Sequence, residues 1–323
     1  MIKNAKAQLN YPDFIDFVKE HILDYIGEYI KLDTAARVAI APVLKNNETI
    51  FDALQVSVDG RHQSAAIDLN RFYQDYYMEG DLPGVMRALA KAYVTTRDQA
   101  CFIPPEEVAS FGLMKDKIVI RLVSREKNVH LLETCPYREF MDLAITYRIL
   151  SGKTAGGIST VLVTSRIMEQ WGITEPVLYE LAIKNSMRLF PPQIRSMEAL
   201  LSDGLELGTT KNHDRLTPKD CRHIGLYIAT NDCGLNGASV ICYPDVFKDF
   251  AAQMGTDFYI IPSSIHEVIL LSANTDMTPQ MISEMISSAN REVVASDDFL
   301  SDSVYWYCAG SGKIGKKVWT NRV

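Results

Sequence analysis

HIGLYIATNDCGLNGASVICYPDVFKDFAAQMGTDFYIIPSSIHEVILL, from His223 to Leu271, is the stretch whose reading decides the fold. IGLYIAT and ASVICY are short β-branched and aromatic runs on either side of Asn231 to Gly237, a polar, glycine-containing connection, so a β-hairpin is predicted. Pro244 sits where a first helical turn tolerates proline. Val246, Phe247, Phe250, Ala251 and Met254 then recur at helical spacing, and Gly255 is placed as a helix stop. DFYIIP and EVILL follow as two further strands. The unit is a hairpin, a glycine-terminated helix and more strands on the same sheet.

Outward from this stretch the same grammar recurs. AAIDLNRFYQDYYMEG, TVLVTSRIMEQWG and SVICYPDVFKDFAAQMG each carry a strand into a short helix ending on Gly80, Gly172 or Gly255. Either this is a degenerate β-β-α repeat, or it is the unit any mixed domain makes by chance.

The remaining segments fill in the same class. A helix is predicted from Pro12 to Ile30, since Phe14, Phe17, Val18, Ile22, Tyr25, Ile26, Tyr29 and Ile30 form one apolar stripe. ARVAIAPVL and FDALQVSVDG read as a hairpin, with Pro42 marking an edge or a bulge. LPGVMRALAKAYVTTRD and EPVLYELAIKNSMRLF read as helices, and KIVIRLVS as a strand. NVHLLETCPYREF reads as a strand leaving into a loop, and DLAITYRI and GISTVLVT as a third hairpin around Ser151 to Gly157. The segment from Leu201 to Pro218 has loop composition. MTPQMISEMISSANREVVA is a helix whose Met277, Met281 and Met285 are read as core filling, and LSDSVYWYCA is a last strand. The organisation expected is a lobe over 1–98, with the N-terminal helix and one β-β-α unit, and a larger lobe over 99–309. A basic tail, frayed or exposed, follows over 310–323. The fold class is α+β: mainly antiparallel sheet built from hairpins, with helices packed mostly on one face.

The 323 residues carry a formal net charge of -7, with 47% apolar and 23% charged residues. This is a soluble composition with a real core, and its sign argues against nucleic acid as the main partner. The tail residues Lys313, Lys316, Lys317 and Arg322 are the one local basic exception. No apolar run reaches the length of a membrane span, and a cytoplasmic location is expected. The six cysteines, Cys101, Cys135, Cys221, Cys233, Cys242 and Cys308, include no CxxC pair and are expected to be reduced.

Motifs that carry chemistry are weak. GSGKIGKK from Gly310 lacks the Ser or Thr of a phosphate loop and the helix that should follow it, and Gly152-Lys153-Thr154 lies in hairpin context. His213, Cys221, His223 and Cys233 match no common zinc spacing. No cofactor and no metal are expected. Asp68, Asp142, Asp232 and Asp302 border strand-like runs, where an Asp more often caps a turn than holds an ion. Trp171, Trp306 and Trp319 read as core and rim. PSSIHE, from Pro262, is the one segment that invites a mechanism: Ser263, Ser264, His266 and Glu267 bring hydroxyl, imidazole and carboxylate together. Residues so close on one strand seldom align as a triad, and Ser264 to Glu267 also spells a helix capping box.

The segments NVHLLETCPYREFMDLAITYRI, LYIATN with GASVICYP, DFYIIPSSIHEVILL and LSDSVYWY together resemble a family from anaerobic Gram-positive bacteria known as a domain of unknown function. The resemblance covers most of the chain through Tyr307, PSSIHE being its most specific part. It implies a cytoplasmic bacterial protein of α+β fold and brings no activity with it. The function read from the residues is a non-enzymatic binding or adaptor protein whose partner is another protein. The alternative is a hydrolase or nuclease-like enzyme using His266 and Glu267 with Ser263, Ser264, Asp142 or Asp302.

Overall fold

The structure, a computed structural model, describes residues 8–32, 36–57, 67–99, 103–154, 157–202, 225–275, 277, 279–292 and 294–316. It divides into two compact units: Met1–Lys45 with Thr49–Phe102 and Gly152–Ser159, and Asn46–Glu48 with Ile103–Ser151 and Thr160–Val323.

In the first unit, α1 (Tyr11–Gly27) starts where Asn10 accepts a hydrogen bond from the Asp13 N–H, and it buries Phe14, Val18, Ile22 and Ile26 along one face. β1 (Arg37–Leu44) and β2 (Ile50–Ser57) form the expected hairpin, with Val38 opposite Val56 and Ile40 opposite Leu54. Pro42 lies on β1, the edge strand, where its missing N–H costs the sheet nothing. β3 (Ile67–Asp68) closes the sheet on the other side of β2. Asp68 then caps α2 (Leu69–Glu79) by accepting from the Asn70 and Arg71 N–H groups, and Gly80 ends that helix at φ 72°. α3 (Leu82–Gln99) adds Val85, Met86, Leu89, Ala90 and Tyr93 to a core shared with α1, α2, Leu54 and Val56.

The second unit opens with two short helices, α4 (Pro105–Val108) and α5 (Phe111–Met114), where an irregular linker is expected. Next along the chain come β4 (Ile118–Ser124), α6 (Val129–Thr134), β5 (Tyr137–Phe140), β6 (Leu143–Thr154) and β7 (Gly157–Leu162), of which the stretch Gly152–Ser159 counts with the first unit. The strand expected over NVHLLET is therefore corrected to a helix. These strands form one sheet in which β4 and β5 flank β6 and β7 also pairs β6. α7 (Ser165–Trp171) and α8 (Glu175–Leu189) follow, then β8 (Pro192–Ser196), α9 (Met197–Ser202) and β9 (Leu226–Asn231). The chain ends with α10 (Val246–Met254), β10 (Phe258–Ile261), β11 (Val268–Ser272), α11 (Pro279–Glu292), β12 (Tyr305–Cys308) and β13 (Lys313–Lys316). The larger sheet runs β13-β12-β10-β11-β9-β8 through antiparallel pairings. With antiparallel sheets and helices in both units, the class is α+β.

The larger sheet is covered on both faces, because side chains alternate along each strand. Phe258, Ile260, Val268 and Leu270 point to a core with Phe247 and Phe250 of α10 and with Ile120 and Leu122 of β4. Tyr259, Ile261 and Leu271 point the other way, to Ile282 and Ile286 of α11. Each such side chain buried from water stabilises the unit by about 1.5–3 kcal/mol.

Three further expectations need correction. ASVIC does not pair with LYIAT as a hairpin: Gly237–Cys242 is a buried 3-10 helix, its Ala238 N–H donating to the Ile265 carbonyl and its Ser239 hydroxyl accepting from the Leu122 N–H. This removes the hairpin from the third β-β-α unit, although its terminal Gly255 is left-handed like Gly80 and Gly172. Of the methionines expected to fill the core, Met277 packs against it, but Met281 and Met285 of α11 are 51% and 36% exposed while Ile282 and Ile286 are buried. The tail does not fray over Lys313–Lys316, which pairs with β12. The expected loop over Leu201 to Pro218 lies almost entirely outside the described residues.

Candidate functional site

Pro262 ends β10, since it brings no N–H to the ladder, and β11 resumes at Val268. The residues between form a second, shorter ladder with 298–301. Ile265 N–H donates to the Asp298 carbonyl at 2.8 Å, Leu300 N–H to the Ser263 carbonyl at 3.0 Å and Ser301 N–H to the Pro262 carbonyl at 2.9 Å. The expected capping box is thereby overturned, because Glu267 leads into a strand and no helix starts there. Ser264 instead accepts from the His266 N–H at 3.0 Å and fixes the turn. From the other side the Thr230 hydroxyl donates to the His266 carbonyl at 2.8 Å.

A close approach of Gly237 completes the packing. A Cβ there would lie 2.0 Å from Thr230 Oγ1 and 2.4 Å from the His266 carbonyl oxygen, so only glycine fits. Its neighbour Asn236, at φ 52°, directs its backbone N–H to His266 Nδ1 at 3.3 Å. His266 Nε2 lies 3.1 Å from Asp298 Oδ1. These two bonds assign the tautomer: Nδ1 accepts, so Nε2 carries the proton and donates to the carboxylate.

The electrostatics follow from this geometry. The hydrogen bond to Asp298 draws the His266 pKa upward, and burial pulls the other way. Protonation of Nδ1 would also set two N–H groups face to face at Asn236. Burial raises the Glu267 carboxyl above its ordinary range, with Asp298 adding to the rise and His266 and the Ser264 hydroxyl opposing it.

The structure thus gathers Ser263, Ser264, His266 and Glu267 on one connection, with both serines buried. The His266 ring bonds to Asn236 and Asp298 and to neither serine. Asp142 is held elsewhere, accepting from Ser301 Oγ at 2.6 Å, Ser303 Oγ at 3.0 Å and Tyr305 OH at 2.8 Å. Burial, then Asp142, pushes the Tyr305 phenol well above its usual value. Asp302 accepts from Asn290 Nδ2 at 2.7 Å, and the same amide bonds the Ser301 carbonyl.

Asp298, Asn236 and Gly237 carry the geometry and were not legible as partners, because they stand about thirty residues from His266 in the chain. Arg121 acts on His266 through space and interrupts an apolar strand, IVIRLVS, which is a signal the sequence does display. Among the described residues no group of three or more His, Cys, Asp and Glu side chains could hold a metal ion. His213, Cys221 and His223 lie outside those residues. The four cysteines within them, Cys135, Cys233, Cys242 and Cys308, are free. Gly152-Lys153-Thr154 ends strand β6, and GSGKIGKK leads into β13, with Lys317, Trp319 and Arg322 outside the described residues.

Fold and site together define an α+β protein whose polar cluster is bonded into the backbone of an antiparallel sheet. The model of a family of unknown function (DUF5688) matches residues 11–309, and the chain belongs to that family. No curated protein and no solved structure matches it. Among the described residues no helix is long and apolar enough to cross a membrane.

Proposed function

We propose that this is a binding protein, an adaptor for another protein, and that the His266 cluster shapes the surface it presents. The observation that supports this reading is the state of the imidazole. A general base needs a nitrogen lone pair aimed at the group it deprotonates. Here the one lone pair accepts from a backbone N–H, and the other nitrogen donates to Asp298. Asp142, another candidate carboxylate, accepts from three hydroxyls and ties the β5–β6 connection to Ser301, Ser303 and Tyr305.

One observation favours the rival hydrolase reading: Asp298 on His266 is the acid–imidazole half of a triad. The two readings separate in a hydrolase screen of the full chain with p-nitrophenyl acetate, p-nitrophenyl phosphate and bis-p-nitrophenyl phosphate. The binding reading expects no turnover that depends on His266. Turnover by the wild type that disappears in folded His266→Asn overturns it.

A further inference from the structure

The face of the β4–β6 pair turned away from the main core, partly covered by Leu132 and Cys135, carries two arginines in an unusual state. Ile118, Ile120 and Leu122 of β4, with Leu143, Ile145, Tyr147 and Ile149 of β6, point into the main core of the second unit. The alternate residues therefore share the opposite face: Val119, Arg121 and Val123 with Ala144, Thr146 and Arg148. Arg121 pairs with Thr146 and Val119 with Arg148, which sets the arginines on diagonal ladder positions, near enough for long side chains to converge.

Neither guanidinium has a carboxylate partner within ion-pair distance among the described residues. Arg148 reaches one hydroxyl, that of Thr160, over a long 3.4 Å. The Thr146 hydroxyl is already committed to the Arg121 carbonyl at 3.0 Å. Both Nε atoms are buried with no hydrogen-bond partner, although each residue as a whole is only half-buried. An unmet buried donor is costly, and a guanidinium without a counter-ion is costlier. Burial and the neighbouring Arg148 push the Arg121 pKa down to about 9, and burial lowers that of Arg148 as well; a guanidinium in a protein keeps its proton at neutral pH. Asp298 and Asp297 act on Arg121 in the opposite sense, from beyond bonding distance.

A guanidinium offers a planar edge, Nε with one Nη, that matches two oxygens of an oxyanion. Two such edges on one sheet face, carrying two positive charges, match a tetrahedral group with three free oxygens and two negative charges. A monovalent carboxylate would leave one charge uncompensated. We propose that Arg121 and Arg148 together bind a phosphoryl dianion, as free phosphate or as the phosphomonoester of a small molecule. A rotamer adjustment of each side chain brings its Nε edge onto the ligand, with the Thr160 hydroxyl beside it. The site lies wholly within the second unit and stands whether or not the adaptor reading does.

Calorimetric titration of the full chain tests this with inorganic phosphate, glycerol phosphate and acetate. Saturable binding of phosphate or glycerol phosphate is expected, with acetate much weaker; the tighter of the first two identifies the source of the group. Arg148→Gln and Arg121→Gln should each weaken binding about tenfold or more. Arg148→Lys, which keeps the charge and loses the planar edge, should also weaken it, while Arg87→Gln in the first unit should not. Should the arginine variants fail to fold, phosphate protection of Arg121 and Arg148 against phenylglyoxal, read by peptide mass on the wild type, gives the answer. Absence of saturable phosphate binding by the folded wild type, equal binding by folded Arg148→Gln, or unprotected arginines would overturn the proposal.

Discussion

His266 donates a hydrogen bond from Nε2–H to Asp298 Oδ1 across 3.1 Å, and this bond joins the β10–β11 connection to the turn that precedes β12. The bond holds most strongly when the imidazole is charged. Asp298 raises the folded-state pKa of His266, so its contribution is fully present below the unfolded value and is lost as pH rises through the folded value. The stability difference between wild type and Asp298→Asn should therefore be larger near pH 5.5 than near pH 8, a window set by the ordinary histidine value of about 6.5. Thermal melts of both proteins across that range check it; a difference that grows with pH contradicts it.

Gly237→Ala should be severely destabilising. The new methyl would meet Thr230 Oγ1 at 2.0 Å, the His266 carbonyl at 2.4 Å and the Asn231 nitrogen at 2.8 Å, and two of these three are backbone atoms. A loss of roughly 3 kcal/mol or more is expected from overpacking that cannot relax. Gly234→Ala in the same connection meets nothing within 4 Å and tests only the cost of its φ of 68°, so urea unfolding should rank it well below Gly237→Ala.

Glu175 should govern the acid limb of stability. Arg138 donates to both its oxygens, at 3.0 and 2.9 Å, and the buried Tyr147 hydroxyl donates to one of them. Burial pushes the carboxyl up, yet these hydrogen bonds outweigh it and hold the pKa below the ordinary value. A depressed folded pKa contributes stability above the unfolded value, about 4.3 for Glu, that disappears as pH falls through the folded value. Glu175→Gln should cost about 1 kcal/mol at neutral pH after solvent screening. The gap should close in acid, which denaturant titrations at a series of pH values would show.

Glu267→Gln should have the opposite sign. Burial raises this carboxyl in the folded state, so its contribution is favourable only below the unfolded value and turns into a cost as pH rises through the folded one. A neutral amide of the same shape should raise stability at pH 7 by about half to one kcal/mol. A lower melting temperature for the variant would contradict this.

How much of this was legible depended on how local the cause is. Gly80, Gly172 and Gly255 were readable as helix stops because a left-handed C-terminal residue is a property of one position, and all three have φ between 66° and 72°. Pro42 was readable as an edge residue for the same reason. Gly237–Cys242 was not, because ASVIC has strand composition while its Ala238 N–H is claimed by the Ile265 carbonyl and its Ser239 hydroxyl by the Leu122 N–H, both from other parts of the chain. The capping box at Ser264 failed likewise: the pattern is satisfied by a turn, and Glu267 leads into β11, whose Val268 to Leu271 pair with Ala229 to Leu226 of β9. For Met281 and Met285, four-residue spacing correctly assigned one helical face and not which face the sheet would cover. Arg121 and Arg148 stood in plain view as charges inside apolar strands, and only the register shows that they share a face.

The most direct test of the central claim, that the imidazole is bonded into the scaffold at both nitrogens, is the protonation state of His266 by two-bond nitrogen–proton correlation in solution. The account predicts the Nε2–H tautomer once pH exceeds the raised folded-state pKa, with Nδ1 shifted as a hydrogen-bond acceptor, and loss of that signature in Asp298→Ala. An Nδ1–H tautomer, or a ring exchanging freely between the two forms, would contradict it.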